Sequence, residues 1–234
     1  MTRLPFEPTP RSVLVRLDRP TGEWVLTRRD GDAGPVYEIV LNGKLLMDTV
    51  ERASEEALAT IGLSRCAGAS SLRVAVGGLG FGFTLAAVLR DPRVGAVDVI
   101  ELEPALPSLL VEAAQRGELQ TADLGDPRVV MHVEDVRAWL ARADATYDAL
   151  LLDVDNGPES LSAVGNSALY TEQGLGGLRR AVRPGGAVAI WSSEPSPACL
   201  ARMEAVFGNA SEARIAVRRG SHELEYRIFS SVRG

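Results

Sequence analysis

Three glycines at alternate positions, Gly78, Gly80 and Gly82, interrupt an apolar run from Val74 to Leu89. Glycine at that density lets the backbone turn tightly and lets a ligand lie against main-chain amides, as in a nucleoside-binding strand-to-helix turn. Twenty-three residues beyond Gly78 stands Glu101, in Ile100-Glu101-Leu102-Glu103-Pro104. A carboxylate at the tip of the next strand accepts both ribose hydroxyls, and roughly 20 residues is the reach of one strand–helix–strand unit. Glu101, with Leu102 beside it, is therefore assigned to a nucleoside. The glycine spacing places Phe83 where the dinucleotide fingerprint needs its third glycine, which disfavours a nicotinamide oxidoreductase.

Two further acidic stretches follow apolar runs. In Val133-Glu134-Asp135-Val136, Asp135 is suited to accept an adenine amino group, with the Val136 amide meeting a ring nitrogen; it is equally suited to cap the next helix. In Leu152-Asp153-Val154-Asp155-Asn156, acids stand at the carboxyl end of a strand, where open α/β sheets meet their ligands. Asp153 and Asp155 are candidates to take a proton from an attacking nucleophile or to hold a cation, and Asp153 also to contact the donor. The stretch Asn156–Leu169 is long enough for a lid. His132 and His222 are assigned structural or solvated roles, and Trp24, Trp139 and Trp191 to the core or an interface, Trp191 near the pocket. No Ser-His-Asp set, metal cluster or phosphate loop is apparent, so no metal is expected.

These residues must be positioned by elements of two rhythms. Short strands at Ser12–Leu17, Glu23–Thr27, Val36–Leu41 and Lys44–Met47, with an Asn42-Gly43 hairpin signal, form a small antiparallel module over residues 1–50. A helix from Glu51 to Ile61 opens the second unit, 51–234. There strands at Leu72–Val76, Ala96–Glu101, Val129–His132, Ala149–Asp153 and Ala187–Trp191 alternate with helices at Phe83–Arg90, Ala105–Arg116, Val136–Arg142, Thr171–Val182 and Pro197–Phe207. Strands Ala213–Val217 and Glu223–Ser230 close as a hairpin. The expected fold is α/β: a Rossmann-like, seven-stranded, mostly parallel sheet with a C-terminal antiparallel hairpin, preceded by the small β module.

Composition narrows the partners. The 234 residues are 46% hydrophobic, enough for a sizeable core, and 25 basic against 31 acidic residues leave a net charge of −6. That balance disfavours nucleic acid and anionic membranes and suits cationic or neutral small molecules. Cys66 and Cys199 are too far apart for a zinc or disulfide framework, which fits a reducing, cytoplasmic setting. The segment Met1–Pro10 lacks the apolar run of a signal peptide.

Several stretches together resemble the spermidine synthase (aminopropyltransferase) family over roughly residues 36–191. They are Leu41-Asn42-Gly43 with Met47, the glycine turn with Leu89-Arg90-Asp91-Pro92-Arg93-Val94, Val99–Pro104, Asp126-Pro127-Arg128-Val129, Tyr147-Asp148-Ala149, and Leu169-Tyr170-Thr171-Glu172 followed by Arg183-Pro184-Gly185-Gly186. The resemblance implies a homodimer that binds S-adenosylmethionine or its decarboxylated form, with Glu101 on ribose, Asp135 on adenine and Asp153 as proton acceptor. The departures fall at the polyamine end. Phe81 stands where the family has an Asp for the aminopropyl amine, and Asn156 where it has a second Asp, with Asp155 one residue early. Leu46 replaces a glutamine, and Glu55-Glu56-Ala57 replaces Tyr-x-Glu. The resulting expectation is methyl transfer to a small-molecule acceptor. True aminopropyl transfer and non-catalytic binding of an adenosyl ligand are the alternatives.

Overall fold

A computed structural model describes residues 10–31, 34–66, 70–119, 122–154, 157–158, 166–219 and 222–234. Its first four strands, β1 (Arg11–Arg19), β2 (Gly22–Gly31), β3 (Gly34–Leu41) and β4 (Lys44–Asp48), pair antiparallel in chain order. Asn42 and Gly43 both take positive φ (51° and 78°), the signature of the two-residue turn that matches strand twist. Glu38 lies buried in this sheet, where Arg11 Nε and Arg29 Nε donate to it at 2.7 and 2.8 Å.

The second sheet has seven strands in the order β10-β11-β9-β8-β5-β6-β7. They are β5 (Leu72–Gly77), β6 (Val94–Glu101), β7 (Val129–Val133), β8 (Tyr147–Leu152), β9 (Val182–Ser192), β10 (Ser211–Arg219) and β11 (His222–Val232). The pairs among β5 to β9 are parallel, and β11 runs antiparallel to both β9 and β10. The expected mostly parallel sheet with a terminal hairpin is thus present. Chain order reverses at β5, between β8 and β6, which opens a crevice at the carboxyl end of β5.

Alternation along the strands divides the core. Val74, Val76, Ala149 and Leu151 face one hydrophobic cluster; Ala75, Leu150 and Leu152 face the other. The first cluster holds helices α1 (Ala53–Ser64), α2 (Phe83–Leu89) and α3 (Ala105–Gln115) together with Val15, Trp24, Leu26 and Ile39 of the four-stranded sheet. The second holds α4 (Val136–Leu140), α5 (Glu172–Ala181) and α6 (Pro197–Phe207). No described helix is long and apolar enough to cross a membrane.

Several boundaries differ from the pattern reading for identifiable reasons. Helix α1 starts at Ala53, not Glu51, because the Glu51 carboxylate turns back to accept the Ala53 amide at 2.5 Å. Strand β9 starts at Val182, ahead of Pro184-Gly185-Gly186, because Val182 pairs with Tyr147 of β8; helix α5 accordingly stops at Ala181. Helix α4 ends at Leu140, short of Arg142. Within the stretch assigned as a lid, Asn166–Tyr170 form a 3₁₀ turn, and residues 156 and 159–165 lie outside the described residues.

His132 has a structural partner, as its sequence context suggested: its Nε2 lies 2.7 Å from Asp98 Oδ1. The other Asp98 oxygen accepts from Arg73 Nη2 and the Tyr147 hydroxyl, each at 2.9 Å. The side chain of His222 is not among those described. Burial would raise the Asp98 carboxyl, but the bonds from His132, Arg73 and Tyr147 outweigh it and hold it below the ordinary 3.8. Its contribution is therefore complete above pH 3.8 and lost as pH falls through the lowered value. Asp98→Asn is expected to cost about 2 kcal/mol at pH 7, the scale of hydrogen bonds to a charged group. Denaturant unfolding at descending pH should show the gap between parent and variant closing in acid.

Candidate functional site

The carboxyl ends of the parallel strands open on a cavity of about 440 Å³. Its floor is the turn after β5. The Gly78 amide donates to Ile100 O at 2.8 Å and the Asp153 amide to Gly77 O at 2.7 Å, so the turn is laced to the tips of β6 and β8. Gly78 has φ 92°, and a Cβ there would sit 2.0 Å from the Asp153 carbonyl oxygen. Any side chain at 78 would therefore force the turn away from β8. Gly80 opens onto the cavity: the one atom within 4 Å of a Cβ built there is Met47 Sδ, at 3.8 Å. Gly82 does not line the cavity; at φ 80° it turns the chain into α2 as its N-cap.

Glu101 ends β6 with its side chain buried, and each carboxylate oxygen is oriented by a backbone amide. Leu79 N–H donates to Oε2 at 2.9 Å and Glu103 N–H to Oε1 at 2.8 Å. Burial raises its pKa against the pull of those amides. Leu102, more than half exposed, lines the rim. Asp135 caps α4, accepting the Arg137 amide at 2.8 Å, and the Arg137 guanidinium engages the same carboxylate and holds its pKa down. The capping role is realised, and Asp135 and Val136 also stand in the cavity wall.

Asp153 follows the last residue of β8, so the strand expected over Ala149–Asp153 ends one residue earlier. Thr84 of α2 donates its hydroxyl to Asp153 Oδ2 at 2.9 Å. Burial pushes the Asp153 carboxyl up to about 7; the charge of Glu55 adds to the shift, and the Thr84 bond opposes it. Seven of the residues singled out in the sequence, Gly78, Gly80, Glu101, Leu102, Asp135, Val136 and Asp153, thus meet in one cavity. Asp155, the second catalytic candidate, lies outside the described residues.

The structure brings to the cavity residues that the sequence did not assign to the site. Trp24, Leu41, Leu46, Met47 and Asp48 of the four-stranded sheet form one wall, and Glu55, in the first turn of α1, faces the cavity. The sequence signal for Glu55 was slight: a pair of acids in a helix where the resemblance led one to expect Tyr-x-Glu. Phe81 lies buried with its ring stacked on Phe83, centroids 6.0 Å apart, and both line the cavity.

A carboxyl raised to about 7 weakens the fold at alkaline pH, because the folded protein must ionise a group that the unfolded chain ionises near 3.8. The penalty is absent below pH 3.8, grows as pH rises, and is complete above about 7. Asp153→Asn is therefore expected to raise Tm at pH 8, with the gain fading towards pH 4 in thermal melts.

Known proteins resemble this chain in sequence and in fold. No protein-family model matches the chain. Polyamine aminopropyltransferase 1 of Streptomyces coelicolor is 34% identical over 173 residues, covering 73% of this chain and 31% of that protein. Polyamine aminopropyltransferase 2 of Pseudomonas aeruginosa is 34% identical over 61% of this chain and 41% of its own length. Putrescine N-methyltransferase 4 of Nicotiana tabacum is 29% identical over 51% of this chain and 30% of that protein. The chain spans about a third of the length of the two Streptomyces coelicolor relatives it matches, 31% and 37%. Among solved structures, spermidine synthase from Thermotoga maritima superposes with a TM-score of 0.73 at 18% identity, covering 95% of this chain and 73% of that one. A spermidine synthase in complex with the transition-state analogue AdoDATO also superposes at 0.73, with 16% identity, covering 95% of this chain and 72% of that one. In sequence this chain is similar to the polyamine aminopropyltransferases, and its Rossmann-like sheet with the four-stranded module is the spermidine synthase fold.

Proposed function

We propose that the chain is an adenosyl-sulfonium-dependent transferase that moves a methyl group to a small-molecule acceptor. The observation that carries this is the meeting, in one cavity, of Glu101, its oxygens aligned by backbone amides, and Asp153, a carboxyl with a pKa of about 7. The residues fit an adenosyl ligand. Gly78 and Gly80 leave main chain open to close approach, Glu101 retains lone pairs for two ribose hydroxyls, and Asp135 and Val136 stand where an adenine edge would meet them.

Once bound, the sulfonium supplies an alkyl carbon whose bond to sulfur breaks, the electron pair staying on sulfur, as the acceptor's lone pair forms the new bond. The chain's own part is to orient the partners and manage one proton. Asp153, ionised above about pH 7, takes that proton from the acceptor, and Thr84 fixes its carboxylate in place. Phe81 supports methyl over aminopropyl transfer: it presents an aromatic ring to the cavity at the position where the resemblance implies an Asp for the aminopropyl amine. The aminopropyltransferase relatives favour the second reading, aminopropyl transfer.

Glu101→Ala should lose ten- to a hundred-fold in affinity for S-adenosylhomocysteine or methylthioadenosine by calorimetry, the equivalent of about 1.5–3 kcal/mol for a charged hydrogen bond. Unchanged affinity would remove Glu101 from the site. With labelled S-adenosylmethionine and an acceptor, kcat/KM should rise with pH through an inflection near 7. Asp153→Asn should lower the rate by about 10²–10⁴-fold, the usual contribution of a positioned base. Robust spermidine formation from decarboxylated S-adenosylmethionine and putrescine would instead establish aminopropyl transfer.

A further inference from the structure

The cavity runs along the sheet edge, and its two halves differ in chemistry. Beside β6 and β7 lie Glu101 and Asp135; beside β8 and β9 lie Asp153 and Trp191, faced by α1 and the four-stranded sheet. In that second half Thr84 Oγ1 sits between two groups, 2.9 Å from Asp153 Oδ2 and 3.4 Å from the main-chain oxygen of Glu55. The charge of Glu55 reaches Asp153. The other Asp153 oxygen has no hydrogen-bond partner among the described residues, although it belongs to a residue of the cavity wall.

We infer that Glu55 is a specificity-determining residue: with Asp153 it forms a carboxylate pair that receives the ammonium of a monoamine acceptor with an apolar body. This rests on the transferase reading above and names the acceptor class for the same cavity.

Charge argues for the ammonium. Asp48, Glu55, Glu101, Glu103, Asp135 and Asp153 line the cavity, and none of the described lining residues is Lys, Arg or His. A carboxylate acceptor would enter a field of its own sign, whereas a cation relieves the repulsion between Glu55 and Asp153. The remaining wall argues for one charge and not two. Phe81, Phe83, Trp24, Trp191, Leu46 and Met47 offer rings and aliphatic carbon to the rest of the molecule. A second ammonium among them would surrender its water without a paired carboxylate. Asp48 accepts the Val50 amide at 3.0 Å at the end of the hairpin and Glu55 accepts the Ser54 hydroxyl at 2.5 Å, so it is the coupling of Glu55 to Asp153 that selects this pair.

The proton balance follows. The bound ammonium gives one proton to the Asp153 carboxylate, which leaves a neutral nitrogen with a free lone pair. That pair forms the new N–C bond as the C–S pair departs on sulfur, and the alkylated product leaves as a cation. Asp153 then returns its proton to solvent.

The test uses the full chain with four probes: benzylamine, putrescine, phenylacetate and phenol. Binding is followed by calorimetry with and without S-adenosylhomocysteine, and Asp153 ionisation by carboxyl ¹³C NMR. Benzylamine should bind at least ten-fold more tightly than putrescine, phenylacetate or phenol. Glu55→Gln should weaken it ten-fold or more, keep S-adenosylhomocysteine within two-fold, and move the Asp153 titration to lower pH. Glu55→Asp, which keeps the charge, should retain part of the affinity. Should Glu55→Gln fail to fold, the parent decides: benzylamine must lower the pH at which Asp153 titrates. Tighter binding of phenylacetate, phenol or putrescine, or an Asp153 titration indifferent to both benzylamine and Glu55→Gln, would overturn the inference. Failure of the parent to bind S-adenosylhomocysteine would overturn the transferase reading, while the amine measurements on the nucleoside-free chain still decide the carboxylate pair.

Discussion

The turn after β5 passes so close to the tip of β8 that the Asp153 carbonyl oxygen occupies the place where a side chain at position 78 would begin. This contact depends on glycine at positive φ and on the backbone bonds that tie Gly77, Gly78 and Asp153 to neighbouring strands. It brings the first turn of α2 over β8, which puts Thr84 against the Asp153 carboxylate. It also aims the Leu79 amide at Glu101 on the other side. A single close approach of main chain thus ties the positions of Glu101 and Asp153 to one turn.

The same packing makes the site electrostatically uneasy. Carboxylates are gathered around a cavity whose described wall carries no basic side chain; Asp135 among them is engaged by Arg137, as Glu38 is by Arg11 and Arg29 and Asp98 by Arg73 away from the cavity. The contrast between Asp98 and Asp153 is instructive. Asp98 is buried and Asp153 half-buried in the cavity wall, yet Asp98 is held low by three bonding partners while Asp153, with one hydroxyl and a neighbouring acid, is pushed up. Buried charge left uncompensated is destabilising and is found where function requires it. In the proposed function a positively charged ligand would supply the missing compensation.

The four-stranded sheet is part of this site, not an appendage to it. Val15, Trp24, Leu26 and Ile39 share a hydrophobic cluster with the helices on one face of the large sheet. Arg116 of the α3 end reaches back to Leu14 O at 2.9 Å. That shared packing holds Trp24 and the β3–β4 hairpin against the cavity, so the wall opposite the nucleoside half is set by residues that precede the sheet in sequence.

Local order along the chain was sufficient to read the alternating strands and helices, the Asn42-Gly43 hairpin, the glycine turn, the spacing to Glu101 and the cap at Asp135. Each of these depends on the conformational preferences or the repeat of a few consecutive residues, which sequence displays directly. Strand and helix ends were less legible, because Val182 joins β9 through its pairing with Tyr147, and Ala53 opens α1 by donating its amide to the Glu51 carboxylate. What only the tertiary structure decided is which distant residues meet and how dry they become. Glu55 and Asp153 are 98 positions apart, and Trp24 and Trp191 are 167 apart, yet each pair lines one cavity. Nothing in the residues around Asp153 announces a pKa near 7, because that value comes from burial and from a charge brought in by another helix. Proximity in space and exclusion of water are properties of the packed whole, and no short window of sequence contains them.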